Sequence, residues 1–189
     1  MQPTKAELRT AILMARRAVS PREHAVEAQA LARHLAALIT DAATVCAYVP
    51  VGSEPGSMDL VDTLHGRGVR VLLPVARRDI AGLQWGEYRP GELVEAPFGL
   101  REPAAPWQGA DAIAQASAIL VPALAVDRSG VRLGRGAGFY DRALPLADPA
   151  ARRIAVVRDD ELVEALPAEP HDVRMTHALT PTHGPVPVG

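Results

Sequence analysis

The 189-residue chain contains one cysteine, one lysine and few aromatic residues, 4% Phe, Trp and Tyr together. A lone cysteine excludes an intramolecular disulfide, and Cys46 sits in the apolar run "TVCAYV", where it reads as a small buried hydrophobe rather than a nucleophile. A reducing cytoplasm is the expected compartment. Charge of one sign is scarce too: 20 basic against 22 acidic residues leave a formal net charge of -2, which argues against a broad electrostatic hold on nucleic acid. Any anion must be bound locally. No apolar run is long enough to span a bilayer, since the longest weakly polar stretch, 113–126, is interrupted by Gln115, Ser117 and Pro122. The first twenty residues carry Lys5, Glu7, Arg9, Arg16 and Arg17 and hold no uninterrupted apolar segment of a signal peptide. No membrane partner is expected. Internal repeats, heptads and low-complexity linkers are missing as well, and with 48% hydrophobic residues the chain reads as one compact domain, residues 1–189, expected to act as a monomer.

What is present begins with two helices. "PTKAELRTAILMARRAV" opens with Thr4 and Glu7 in capping-box spacing and places Leu8, Ala11, Ile12 and Ala15 on one stripe. "SPREHAVEAQALARHLAALI" repeats the device, with Ser20 as N-cap, Pro21 at the first helical position and Glu23 at the third. "ATVCAYVP", a helical stretch around Met58 to His65 and "VRVLLPV" then read as strand, helix and strand. "LQWGEYR" alternates like a half-exposed strand, while "AILVPALAV" and "RRIAVV" are continuous apolar runs of the kind both faces of a covered sheet require. The fold class is α/β, with a mainly parallel sheet flanked by helices. "EPAAPWQGAD" and the tail "TPTHGPVPVG" are proline-rich and expected to be irregular.

The densest concentration of signals is "VDRSGVRLGRGAGFYDRAL", Val126 to Leu144. After a strand ending at Asp127, Gly134, Gly136 and Gly138 alternate before a helix that begins near Phe139 and runs through Leu146. Ligands collect outside the carboxyl ends of strands in open α/β sheets, and glycines feeding a helix N-terminus let an anion approach unpaired backbone N–H groups. The stretch is neither a Walker A loop nor G-x-G-x-x-G, because no Gly-Lys-Ser/Thr follows and Phe139 stands in the third glycine's place. Arg132, Arg135 and Arg142 bracket it with guanidinium forks suited to phosphate oxygens, and Asp141 can complement the helix dipole or hold Mg²⁺. On local chemistry alone a surface turn carrying a helix-start acid is the competing reading. Lys5 and Arg9, four residues apart, put two cations on one helix face, a small penalty that a bound anion would offset and that two solvated side chains would tolerate. His171, His177 and His183, six apart, fit no zinc motif and read as polar loop residues. Trp85 and Trp107 read as packing rather than ring-stacking residues.

"LVPALAVDRSGVRLGRGAGFYDRAL" closely resembles the signature of the 5-formyltetrahydrofolate cyclo-ligase (5,10-methenyltetrahydrofolate synthetase) family. Weaker matches run along most of the chain: "KAELR", "YVPVGSEPGSMDLVDTL", "VLLPVA", "FGLREP" and "ELVEALPAEPHDVRM". The resemblance implies a fold similar to sugar-phosphate isomerases and CoA transferases. It also implies an ATP- and Mg²⁺-dependent closure of 5-formyltetrahydrofolate to 5,10-methenyltetrahydrofolate by phosphoryl transfer to the formyl oxygen. Carried over by position, Lys5, Arg9 and the run Arg132, Leu133, Gly134, Arg135, Gly136, Ala137, Gly138, Phe139 and Tyr140 would bind ATP. Arg135, Gly136, Ala137, Gly138 and Phe139 would also touch the folate, with Val51 and Glu54 at its pterin end. Arg135 and Tyr140 would be the catalytic residues, and Asp141 and Asp172 the Mg²⁺ ligands. Partners would be a reduced folate and ATP, with no nucleic acid. The sequence departs from the family's habit at Ala137, Phe139, Glu161, where glutamine is usual, and Thr176, where a second acid is often found. Two other readings follow from these departures: a non-catalytic nucleotide- or folate-binding relative, and an ATP-dependent enzyme acting on another formyl or amide substrate.

Overall fold

The computed structural model describes residues 3–40 and 43–189. Helix α1 (Lys5–Arg17) starts where Thr4 dictates: its hydroxyl accepts the Glu7 N–H at 3.2 Å, and the Glu7 carboxylate accepts the Thr4 N–H at 2.8 Å. Helix α2 (Pro21–Leu38) is capped by Ser20, whose hydroxyl accepts the Glu23 N–H. The inward stripe of α1 differs from the expected one. Leu8, Ile12 and Leu13 pack inward and Arg16 is buried, while Ala11 and Ala15 face out. The surface α1 lies on decides this: it offers Leu124, Ala125 and Leu133 to the apolar side chains, and an acid to Arg16.

The rest follows in chain order as β1 (Thr44–Cys46), α3 (Asp59–Gly66), β2 (Arg70–Ala76), β3 (Leu83–Glu87), β4 (Leu93–Glu95), β5 (Arg101–Pro103), β6 (Ala118–Pro122), β7 (Ala125–Asp127), β8 (Arg132–Leu133), α4 (Phe139–Ala143), β9 (Arg152–Val156), β10 (Leu162–Val163), β11 (His177–Thr180) and β12 (Gly184–Pro187). Seven strands form the main sheet in the order β12-β11-β9-β6-β1-β2-β3. The inner five are parallel, and β3 and β12 pair antiparallel at the edges. Successive side chains alternate between two apolar layers, as the pleat requires. Val45, Val71, Leu120 and Ile154 face Leu31, Leu35, Leu60 and Leu64 of α2 and α3. Cys46, Leu72, Ile119 and Ala155 face Trp85, Ile113 and Leu144 on the other side. Burial pushes the Cys46 thiol up to about 12, so it stays protonated and inert.

Two segments depart from their sequence readings, and a third is covered more fully than its alternation implies. "AILVPALAV" is two strands in two sheets, because the chain turns at Pro122 and β7 joins a small sheet ordered β10-β7-β8. The middle of "LQWGEYR" is fully buried at Trp85, since the antiparallel edge it forms is covered by the 3-10 segment Ala110–Gln115. The tail expected to be irregular supplies β12. Proline is tolerated there because an edge strand leaves one row of N–H positions unpaired. No helix among the described residues is long and apolar enough to cross a membrane.

Candidate functional site

The chain leaves β1 for β2 and β3 on one side and β6 for β9 and β11 on the other, so the order reverses between β1 and β6. Ligands of open α/β sheets bind at the carboxyl side of such a reversal. A cavity of about 260 Å³ opens there. Its floor is Tyr48 and Val49 beyond β1, Pro74 and Ala76 at the end of β2, and Pro122, Ala123 and Leu124 beyond β6. Arg101 and Glu102 of β5 stand at its rim, and residues 134–141 close it.

The loop rests on a fixed base. The buried Asp127 carboxylate accepts the N–H groups of Ser129, Val131 and Leu166 and the Ser129 hydroxyl, all at 2.8–2.9 Å. Beyond β8, Gly136 (φ +105°) and Gly138 (φ +76°) take the left-handed backbone that side chains disfavour, and Gly138 caps α4 without a side-chain bond. Helix α4 has only five residues and gives way to a 3-10 turn, Leu144–Leu146. Its dipole is correspondingly small, so anion binding at this loop rests on individual N–H groups and arginines rather than on a long helix.

The cations converge on the loop from two elements. Arg9 of α1 donates from Nε to the Gly134 carbonyl at 2.9 Å. Arg132, nearly buried, donates to the Pro122 carbonyl at 3.1 Å and to Asp141 Oδ1 at 2.9 Å; burial lowers its pKa, and the Asp141 carboxylate works against that. Arg135, half exposed, lies 3.5 Å from Glu54. Lys5 donates to Glu169 at 2.8 Å and is not among the residues that line the cavity. Leu133 is buried, with its side chain in the α1 interface and its carbonyl accepting the Leu124 N–H, so only its main chain lies near the loop. Val51, Glu54, Gly134, Arg135, Gly136, Ala137, Gly138, Phe139, Tyr140 and Asp141 all line the cavity. Asp172 does not; its Oδ2 accepts the Glu169 N–H at 2.7 Å, within a group formed with Glu169 and His171.

The inner wall carries groups with no local sequence signal. Arg16 donates from Nε and Nη2 to Glu161 at 2.7 and 2.8 Å, and from Nη2 to the Ala123 carbonyl at 2.7 Å. Glu161 also accepts the Arg158 N–H at 2.8 Å. Arg16 falls on the same helical face as Lys5 and Arg9, eleven and seven residues on, and that spacing was the available clue. Nearby, Glu54 accepts the Val51 N–H at 2.9 Å, and its pKa is raised chiefly by burial, against the pull of that bond and of Arg135. The Tyr140 hydroxyl is buried without a partner among the described residues, and burial raises its pKa strongly.

The match to known proteins is extensive. The model of the 5-formyltetrahydrofolate cyclo-ligase family covers residues 1–181. The chain belongs to that family. A 5-formyltetrahydrofolate cyclo-ligase of Mycolicibacterium smegmatis is 63% identical over 185 residues, 96% of this chain and 95% of that protein. One from Escherichia coli is 30% identical over 172 residues, 88% and 94% of the two chains. The cyclo-ligase fold is recognisable in solved structures: the 5,10-methenyltetrahydrofolate synthetase of Aquifex aeolicus superposes with a TM-score of 0.74 at 22% identity, covering 95% of this chain and 91% of that one. The Mycoplasma pneumoniae enzyme gives 0.73 at 22% identity over 92% and 96%. Two departures from the family's habit have internal partners. Glu161 holds Arg16, and Thr176 accepts the Arg153 N–H at 2.9 Å. Both tryptophans pack within the protein, Trp85 in the core and Trp107 under the Arg77 guanidinium at 4.6 Å, and His177 opens β11.

Proposed function

We propose that this enzyme closes 5-formyltetrahydrofolate to 5,10-methenyltetrahydrofolate at the expense of ATP. The carrying observation is that one cavity holds, at one end, a glycine loop ringed by Arg9, Arg132 and Arg135 and, at the other, the buried carboxylate of Glu54. A triphosphate suits the first, and the amino-pyrimidinone edge of a pterin, with its paired N–H donors, suits the second. The formyl oxygen attacks the γ-phosphorus and ADP leaves; N10 then attacks the formyl carbon and loses its proton, and the C–O bond breaks to release phosphate. Such a sequence needs positioning and charge neutralisation more than a protein nucleophile.

Arg135 bridges the two ends, so it neutralises charge where the phosphoryl group passes. The Tyr140 hydroxyl, with no protein partner, is a donor available to a substrate oxygen. Lys5 reaches a phosphate by exchanging Glu169 for it. Asp141 fits Mg²⁺: its carboxylate lies at the loop, and among the described residues only one of its oxygens is engaged, by Arg132. Asp172, a hard oxygen ligand outside the cavity lining, would be the second carboxylate of the metal site. The ion would neutralise the charge that builds on the phosphate oxygens. Localisation in the cytoplasm and action as a monomer belong to the same proposal.

The test follows methenyltetrahydrofolate absorbance with pure folded protein, with ATP and then Mg²⁺ omitted. Product in the complete mixture alone supports the reading. Folate binding without product selects a non-catalytic relative, and ATP hydrolysis with another formyl or amide compound selects a different substrate.

A further inference from the structure

We infer that Arg16 is a substrate-contact residue, which reads an acceptor oxygen next to the donor edge held by Glu54, and that Glu161 is the positioning residue that aims it. The inference rests on the functional reading above and names a group of the same site that the family resemblance left unassigned.

The guanidinium of Arg16 has three nitrogens, and two are spoken for. Nε and Nη2 form the fork on Glu161, and Nη2 also donates to the Ala123 carbonyl. Nη1 has no protein partner among the described residues. The side-chain atoms sealed from solvent without a partner are Gln84 Oε1, Trp85 Nε1 and the Tyr140 hydroxyl, and Nη1 is not among them. Since Arg16 is 3% exposed and lines the cavity, Nη1 opens onto that space. A buried cation whose position is set by three bonds of 2.7–2.8 Å offers a donor at a fixed point. The Arg16 cation also acts on the Glu54 carboxyl, holding it down against burial.

An amino-pyrimidinone presents two donors, the 2-amino group and N3–H, followed by the 4-oxo acceptor. Glu54 can take the donors but has nothing for the oxygen; a 4-amino ring, whose N3 carries no hydrogen, costs it one bond, yet a carboxylate on that edge does not read the 4-substituent itself. A donor-only guanidinium beside it does, because it leaves the 4-amino group facing an N–H. Glu161 serves this better than glutamine, since a carboxylate fork fixes both Nε and Nη2 and supplies the countercharge that the buried Arg16 requires.

The test uses the full-length enzyme, a reduced 4-oxo folate and its 4-amino analogue, with equilibrium binding and KM read together with the melting temperature. Wild type should favour the 4-oxo compound by at least about tenfold. Arg16→Lys keeps the buried charge pair and loses the third nitrogen. It should raise the folate KM by about tenfold or more, leave the ATP KM within about twofold and weaken the oxo preference to what Glu54 alone supplies. Arg16→Met with Glu161→Gln removes both charges, keeps an acceptor for the Arg158 N–H and should behave alike. A folded variant with wild-type folate KM and oxo preference overturns the inference. Equal affinity of wild type for the two compounds overturns it without any variant. A wild type that binds the 4-oxo folate while R16K is indistinguishable removes the inference alone; a wild type that binds no reduced folate removes the functional reading and the inference with it.

Discussion

At the loop end of the cavity Arg135 has half its side chain in solvent and is held by a single contact, to Glu54 at 3.5 Å. At the inner end Arg16 has 1% of its side chain exposed and three contacts of 2.8 Å or less. On the proposed reading, a polyanion that enters and leaves with each turnover would be met by groups that exchange partners cheaply, because surface pairs contribute about 0–1 kcal/mol. A flat heterocycle would be met by donors and acceptors whose ordering is completed on folding. Stability therefore resides at the inner end and catalytic sensitivity at the outer one.

The sharpest way to break that contrast is Glu161→Ala. It strands a buried guanidinium, and the loss should be about 3–5 kcal/mol in urea unfolding; a loss under about 1 kcal/mol would place Glu161 among the soft contacts. At the outer end Arg135→Ala and Asp141→Ala should each lower kcat/KM about a hundredfold while the melting temperature moves by no more than about 2 °C. Unchanged kcat/KM in both would remove the phosphate assignment of the loop. Gly136→Ala meets only the Arg9 guanidinium at 3.7 Å but must adopt φ near +105°, so a destabilisation of about 1–3 kcal/mol should arise from backbone strain alone.

Glu54 joins the two ends, and pH separates its roles. Burial raises its folded pKa above the ordinary 4.5, so the folded protein gives up this proton less readily than the unfolded chain. Its contribution to stability therefore falls as pH rises from 4.5 through the folded value. Glu54→Gln should be more stable than wild type at pH 7, with the difference closing below pH 4.5, yet bind the folate more weakly because an amide opposes the pterin donors with its own N–H. Paired urea series across that range check the sign. The smallest effect is expected at the surface pair Lys5–Glu169, where Glu169→Gln should change stability by less than about 0.5 kcal/mol.

The sequence made legible whatever depends on neighbours along the chain. Thr4 with Glu7 and Ser20 with Pro21 mark the helix starts by local hydrogen bonding, and the glycines at 136 and 138 mark a backbone only they adopt easily. The loop's convergence with Arg9 was likewise in reach, since a spacing of four on a helix fixes a face. Pairings between distant segments were not. Arg16 with Glu161 looks like two unrelated surface charges until α1 docks, and Pro122 marks the end of one strand and the start of another only once two sheets are known. Trp85 reads as a packing residue from its run alone, but its cover, Ala112 and Ile113, arrives from another part of the chain and cannot be named from the run. Proline in β12 hid a strand because ladder-breaking matters only inside a sheet, not at its rim.

Arg16 and Glu161 lie 145 positions apart. On the ribosome the opening helix therefore emerges long before the acid that anchors it, and must wait for most of the chain to be made. Until then Arg16 lacks its countercharge, and the sheet can begin to assemble without a working pocket. Nascent chains arrested before residue 161 should accordingly protect parts of β1 and β2 from proteolysis and leave α1 open to it. Acquisition of structure and acquisition of function would then be separate events in the life of one polypeptide.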